Sequence, residues 1–267
     1  MPEKSQQECL ADEGGGIAMI GFMKLSLIVP VYNEARHLER VIPFLFGARI
    51  PVEAEWIFID DKSTDGSLEI LRECAKRFPM KILEQAENQG KGAAVIRGIR
   101  EATGDLVMIQ DADFEYHPKD IPALLQPILD DEADVVYGSR FKKNATQVHR
   151  TYHYFVNRFL TLLSNLFSGL YLTDMETCYK VFRADLIQNM NLTARRFGIE
   201  VELTAYLGKA KARIHELPIS YYPRTRLQGK KINWKDGVAA LRHLVWYNFL
   251  VSRDQMFKPT LPERYRS

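Results

Sequence analysis

The chain has 267 residues, 46% hydrophobic and 26% charged, with a formal net charge of +2. That is an ordinary globular composition, long enough for one large domain or two small ones with a full core, and too balanced for net charge to decide for or against nucleic acid. Its three cysteines, Cys9, Cys74 and Cys178, are odd in number and far apart, which excludes a disulfide framework or a zinc cluster and points to a reducing environment.

Residues 1–22 carry Glu3, Glu8, Asp12 and Glu13 ahead of a short apolar patch at 17–22. A secretory signal begins basic and runs longer, so this stretch is expected to be a disordered extension, with Met19 or Met23 as alternative starts. No apolar run is long and clean enough to span a bilayer. The run 25–29 reads as a first strand whose ladder ends at Pro30. Tyr32-Asn33-Glu34 follows, then a helix with Leu38, Val41, Ile42 and Leu45 on one face. A second strand at 56–59 runs into Asp60-Asp61-Lys62-Ser63-Thr64-Asp65-Gly66, where Asp65 suits an N-cap for a helix presenting Leu68, Leu71, Cys74 or Ala75, and Phe78. A third strand at 81–83 precedes Gly90-Lys91-Gly92, which opens a small-residue helix containing Val95 and Ile99. The fourth strand, 106–110, breaks into Asp111, Asp113 and Glu115, and a helix with Ile121, Leu124, Leu125 and Ile128 leads to a fifth strand at 134–137.

Strand and helix in alternation with short links predict an α/β fold, a mostly parallel twisted sheet with helices on both faces. Ligands of such sheets bind at the carboxyl ends of the strands, the rim that collects Tyr32, Asn33, Glu34, Asp60, Asp61, Lys91, Asp111 and Asp113. Carboxylates as close as Asp111 and Asp113 repel, and Mg²⁺ or Mn²⁺ shared with substrate phosphates would relieve them. The alternative is a turn in which one of them caps the helix near Asp120. A dinucleotide fold is disfavoured because no Gly-x-Gly-x-x-Gly follows the first strand, and no phosphate-binding Gly-x-x-x-x-Gly-Lys-Ser/Thr occurs.

From 135 to 173 there is no Asp or Glu, while Arg140, Lys142, Lys143, Arg150 and Arg158 are interleaved with aromatics and leucines. This fits an amphipathic helix lying in a membrane surface, against the alternative of an ordinary core helix. The stretch 217–235 is again acid-free, with Arg224, Arg226, Lys230, Lys231 and Lys235. It reads as a basic loop that could clamp a phosphate, or as a solvated loop. An amphipathic helix at 236–251 closes the fold, leaving 253–267 as a tail.

Val29-Pro30-Val31-Tyr32-Asn33-Glu34, the Asp-Asp-x-Ser-x-Asp-Gly of 60–66, Gly90-Lys91-Gly92, Asp111-Ala112-Asp113 and Gly138-Ser139-Arg140-Phe141 come in the order seen in family 2 glycosyltransferases. Over roughly 24–250 the chain resembles the branch that makes dolichyl- and polyprenyl-phosphate sugars. The resemblance implies a GT-A nucleotide-sugar fold with one mixed sheet, extending over 23–252 as a single domain. Its half 24–140 would bind the nucleotide-sugar, and 141–252 would face acceptor and membrane. Donor contacts are expected from Pro30, Tyr32, Glu34, Asp60, Asp61, Lys91, Asp111, Ala112 and Asp113. Asp111, Asp113 and Glu115 would hold the metal, Glu115 standing where the mannose synthases carry Gln. Acceptor contacts are expected from Ser139, Arg140, Arg150, Arg224, Arg226 and Lys230, with Asp174 near the sugar.

The resulting expectation is a metal-dependent, inverting hexosyltransferase moving mannose or glucose from a GDP- or UDP-sugar to a polyprenyl phosphate. It would act peripherally at the cytoplasmic face of a membrane, without nucleic acid, with room for a membrane-anchoring partner subunit. If the acceptor were a sugar hydroxyl, as in polysaccharide or glycolipid synthesis, Asp174 is the candidate base. An inactive nucleotide-sugar-binding scaffold is the remaining alternative, though Asp111 and Asp113 are both present.

Overall fold

A computed structural model of the protein describes residues 23–142, 151–196, 198–223 and 234–266. Arg150, Arg224, Arg226, Lys230 and Cys9 lie outside the described residues, as does the extension 1–22. Seven strands of the described chain form one sheet: β1 (Lys24–Val31), β2 (Glu53–Asp60), β3 (Met80–Glu84), β4 (Leu106–Ile109), β5 (Val135–Ser139), β6 (Lys180–Arg183) and β7 (Ile214–Pro218). Their order is β3-β2-β1-β4-β6-β5-β7. Leu25, Leu27, Ile28 and Val29 of β1 and all four residues of β4 are buried. Apart from Ser26, also buried, this is the apolar run of strands covered on both faces by helices.

β1 runs one residue past Pro30, because Val31 still pairs with Asp60 of β2 and its carbonyl accepts the Asp61 N–H at 2.8 Å. Ile28 turns its carbonyl to β4, where it takes the Gln110 N–H. Two residues on, Pro30 faces the same side, but β4 has ended, so the missing proline N–H interrupts no ladder bond.

β6 carries the main departure from a simple parallel reading. It lies antiparallel between β4 and β5, with Met108 opposite Val181 and Val136 opposite Val181, and β5 pairs parallel with β7. The carboxyl ends of β1, β2, β4, β5 and β7 therefore share one rim, and β6 enters the sheet from that same rim at Lys180. The residues just before it, 174–179, are thereby delivered beside the end of β4.

The helices are α1 (Ala35–Phe46), α2 (Ser67–Cys74), α3 (Lys91–Glu101), α4 (Ile121–Leu129), α5 (Thr151–Ser168), α6 (Ala184–Ile187), α7 (Ile199–Leu207), α8 (Trp234–Val245) and α9 (Arg253–Met256), with a π turn at Trp246–Leu250 after α8. Leu38, Val41, Ile42 and Leu45 are the buried face of α1, as their spacing predicts. Asp65 stands one residue before the cap position of α2. Its Oδ1 accepts the Ser67 N–H at 3.0 Å and its Oδ2 the Ala35 N–H at 3.0 Å, so one carboxylate secures the starts of two helices. Residues 253–266, expected as a tail, pack on the core: Met256, Phe257, Leu261 and Tyr265 are buried, and Met190 bridges to Phe257.

Candidate active site

The Gly90-Lys91-Gly92 turn is fixed from two directions. Asp61, 2% exposed, accepts the Gln89 and Gly90 N–H groups at 2.9 and 2.7 Å and the Gln85 side-chain amide at 2.9 Å. From the other side, the Gly92 and Ala93 N–H groups donate to the carbonyls of Arg196 and Arg195 at 3.1 and 3.0 Å. A Cβ on Gly90 would fall 2.7 Å from the Arg195 carbonyl oxygen, and one on Gly92 would collide with the Ala194 carbonyl, so glycine is required by close backbone approach. Residues 193–194 are held in turn by Glu202, which takes the Thr193 and Ala194 N–H groups at 2.8 Å each. The start of α3 thus spends these amides on its own chain, and what it presents is the side chain of Lys91.

Lys91 Nζ sits 2.9 Å from Asp111 Oδ1 and 3.2 Å from Glu200 Oε1, with 17% of its side chain exposed. Burial opposes its charge, but Asp111 and Glu200 outweigh that and hold the ammonium well above the ordinary lysine range. Asp113, nearly buried, accepts the Glu115 N–H at 2.9 Å, a local turn bond; it does not cap the next helix, whose entry is capped by His117. Glu115 accepts the Tyr221 hydroxyl at 2.9 Å. Asp111, Asp113 and Glu115 thus each have a different partner, and among the described residues no three His, Cys, Asp or Glu side chains are gathered to hold a metal ion. The expected three-carboxylate metal set is therefore not gathered among the described residues. What remains is a pair of hard oxygen donors, Asp111 and Asp113, at a strand end. That donor set fits Mg²⁺ or Mn²⁺, which take one or two carboxylates and complete their shell with phosphate and water. Cys178, buried beside them, turns its Sγ to the Ile109 carbonyl at 3.9 Å, and burial, then the Asp111 charge, pushes its thiol up.

At the end of β2, Asp60 is 1% exposed; its Oδ2 accepts the Ser63 N–H at 3.1 Å, and its Oδ1 is buried without a hydrogen-bond partner among the described residues. Tyr32 is exposed beside it on the rim, past the end of β1. Glu34 is the residue before α1 but makes no capping bond with its side chain.

Across the rim, Asp174 is fully buried and pairs with Arg140 through both oxygens: Nε to Oδ2 and Nη2 to Oδ1, each 2.7 Å, with the Arg140 N–H on Oδ2 at 3.0 Å. Glu216 of β7 holds this arm, accepting the Thr173 and Asp174 N–H groups at 2.8 and 3.0 Å, and Lys142 lies 3.5 Å from it. Ser139 Oγ and Thr173 Oγ1 are 2.6 Å apart. The Arg140 guanidinium also lies over the Tyr221 ring, 5.1 Å from its centroid. Tyr221 therefore links the carboxylate loop, through its hydroxyl, to Arg140, through its face.

Three charged residues here, Glu200, Glu176 and Lys180, lie in the runs 173–180 and 195–202, which resemble family segments without pointing to a role for any of the three. Burial, then the charge of Glu200, pushes the Glu176 carboxyl up to about 7. Burial lowers the Lys180 ammonium, which donates to the carbonyls of Met175, at 3.0 Å, and Thr177.

Outside the rim, α5 exposes Phe155, Phe159, Leu162 and Leu166 on one face, and α8 with its π turn exposes Val238, Leu241, Val245, Trp246, Phe249 and Leu250. Phe167 and Phe249 meet with ring centroids 4.9 Å apart, joining the two helices. No helix among the described residues is long and apolar enough to cross a membrane.

A mixed sheet with an acidic rim and a crossing strand bearing the second half of the site defines a GT-A nucleotide-sugar fold. Solved structures share it: glucosyl-3-phosphoglycerate synthase from Mycobacterium tuberculosis, crystallised with Mn²⁺, uridine diphosphate and glucosyl-3-phosphoglycerate, superposes with a TM-score of 0.65 at 19% identity over 94% of this chain and 88% of that one. S. aureus TarS with UDP-GlcNAc gives 0.56 at 19% identity over 86% and 68%. Residues 26–190 match Glycosyl transferase family 2, and the chain belongs to that family. It is 27% identical to a dolichol-phosphate mannosyltransferase of Pyrococcus furiosus, covering 83% of this chain and 63% of that protein. It is 29% identical to an undecaprenyl-phosphate mannosyltransferase of Micrococcus luteus, over 84% and 94%. A dodecaprenyl-phosphate galacturonate synthase of Rhizobium johnstonii is also 29% identical, over 64% and 51%. The chain thus spans under two thirds of the archaeal and rhizobial relatives.

Proposed function

We propose that the protein is an inverting hexosyltransferase that moves a sugar from a nucleotide-sugar to a polyprenyl phosphate at a membrane surface. The observation that carries this reading is one rim with two chemically opposite sides. Asp111 and Asp113 stand at the end of β4, and Arg140, locked by Asp174, stands at the end of β5. The relatives' names, all polyprenyl-phosphate sugar enzymes, support the same acceptor class.

In this reading the donor base and ribose lie along Tyr32 and Asp60, whose buried, unpartnered Oδ1 suits a ribose hydroxyl. Asp61 shapes the 88–90 turn and acts on the donor only through it. Asp111 and Asp113 would hold Mg²⁺ or Mn²⁺, which would offset the charge developing on the departing diphosphate. A phosphomonoester loses its second proton near pH 6, so a phosphate acceptor arrives already ionised and attacks without a base. Arg140 orients it; Ser139, expected as a second contact, is fully buried with its hydroxyl on Thr173 and the Phe141 N–H and supports the turn instead. A hydroxyl acceptor would need a carboxylate to take its proton. Asp174, fully buried with both oxygens on Arg140, is poorly placed for that and serves as a positioning residue. The aromatic face of α5 and α8 rests in the lipid interface, where amphipathic helices bury such side chains.

The test is a panel of GDP- and UDP-hexoses with a polyprenyl phosphate in vesicles, with Mn²⁺, with Mg²⁺ or with chelator. Lipid-linked product that requires the cation is the expected result. Transfer only to sugar hydroxyls would replace the acceptor, and nucleotide-sugar binding without turnover on any acceptor would leave a scaffold subunit.

A further inference from the structure

Lys91 bridges two carboxylates that belong to different parts of the fold, Asp111 after β4 and Glu200 in α7, at nearly equal distances of 2.9 and 3.2 Å. Its backbone cannot follow the side chain. The flanking amides of Gly90, Gly92 and Ala93 are all bonded, and the glycines leave no clearance against 194–196. The side chain, by contrast, is a compact point charge on a flexible stem, with three donors to place. On the Glu200 side there is unused capacity: Oε2 of that carboxylate is buried and has no hydrogen-bond partner among the described residues. A buried acceptor left unmade costs on the order of 1–3 kcal/mol, so a second bond from Lys91 to Glu200 is favourable whenever Asp111 no longer competes for the ammonium.

We propose that Lys91 stands in for the divalent cation at Asp111 until donor and metal arrive, and that Glu200 is the positioning residue that then takes Lys91 over. This rests on the metal reading of Asp111 and Asp113 above and adds an order to it. The protein without donor has low affinity for the cation, because the ion must displace an ammonium already satisfying Asp111. When the cation seats, repulsion between it and Lys91 turns the ammonium toward both oxygens of Glu200, within reach of the rim where the diphosphate lies. No atom of the reaction changes hands in this step; it is an exchange of ion pairs.

The experiment titrates the purified full chain with Mn²⁺ and follows the free-ion signal by electron paramagnetic resonance, with and without uridine or guanosine diphosphate. Without nucleotide, Lys91→Met is expected to bind Mn²⁺ about tenfold tighter than wild type, the value of one charge-assisted bond released from competition. Glu200→Gln, which leaves Lys91 only Asp111 to pair with, is expected to bind it more weakly. Opposite directions for two substitutions at one ion pair are not what general loosening of the site would give. Should Lys91→Met not fold, Glu200→Gln alone carries the test, since equal or tighter Mn²⁺ binding there overturns the proposal. Equal affinity of wild type and Lys91→Met overturns it too, while leaving the metal reading intact if nucleotide still recruits Mn²⁺. No Mn²⁺ binding by any form, even with nucleotide, removes the metal reading and this proposal together.

Discussion

Two cations of the rim, Lys91 and Arg140, are both largely buried and both paired with carboxylates, yet their geometries differ. Arg140 meets Asp174 through two bonds of 2.7 Å, and that carboxylate takes the Arg140 backbone amide as well while Glu216 fixes its own. A planar fork on a fully buried partner has one arrangement. Lys91 is shared between Asp111 and Glu200, one of which has an oxygen to spare. The difference separates a fixed anchor from an adjustable one. The Arg140 side of the rim is already fixed by its own pairings, and the Lys91 side has charge to rearrange.

The largest effect should come from breaking the fixed pair. Asp174→Ala leaves the Arg140 guanidinium buried and unpaired and is expected to cost about 3–5 kcal/mol of stability in urea unfolding. An unchanged midpoint would show that the pair is not the anchor its geometry indicates. Next, Asp111→Asn and Asp113→Asn should each lower transfer about a hundredfold or more, with the fold retained because both lie beyond β4 and outside its apolar core. Near-normal turnover of both under excess chelator would end the metal reading.

A third effect is a pH dependence of stability. The Glu176 carboxyl is raised from its usual 4.5 to about 7. Between those values the folded protein holds a proton that the unfolded chain has lost. Stability contributed by Glu176 therefore falls as pH rises from about 4.5 to 7, by roughly 1–3 kcal/mol. In Glu176→Gln that part of the slope should vanish in urea midpoints taken across this range; a wild-type slope in the variant would place the titration elsewhere. The smallest effect concerns the outer face. Phe155→Ser with Phe159→Ser should weaken association with anionic vesicles roughly tenfold, by loss of buried apolar area, leaving a salt-sensitive remainder. Full binding by the double variant would move the membrane contact away from α5.

Much of the first half was legible because its signals are local. Buried strands show as apolar runs and α1 as a 3.6-residue pattern; Asp60, Asp61, Asp111 and Asp113 follow strands whose ends must share a rim once the sheet is parallel. Two individual roles were not legible. Asp61 looks the same in sequence whether it faces a ligand or gathers three nitrogens of residues 85–90, and Asp65 gives no sign that it also serves α1, thirty residues away. The second half depends on β6, four residues long and antiparallel. So short a strand carries almost no periodicity, and a reversed direction carries none.

Sequence by itself thus determined the alternating sheet, the acidic carboxyl-end rim and the glycine turn that presents Lys91, because backbone sterics and residue spacing act within a few positions. Tertiary structure alone decided that Glu200 shares Lys91 with Asp111, that Asp174 is spent on Arg140, and that Glu115 answers to Tyr221. Those pairings join residues 20 to 109 positions apart. Charge attraction in a buried rim depends on distance in space, which the antiparallel insertion of β6 sets and no local pattern records.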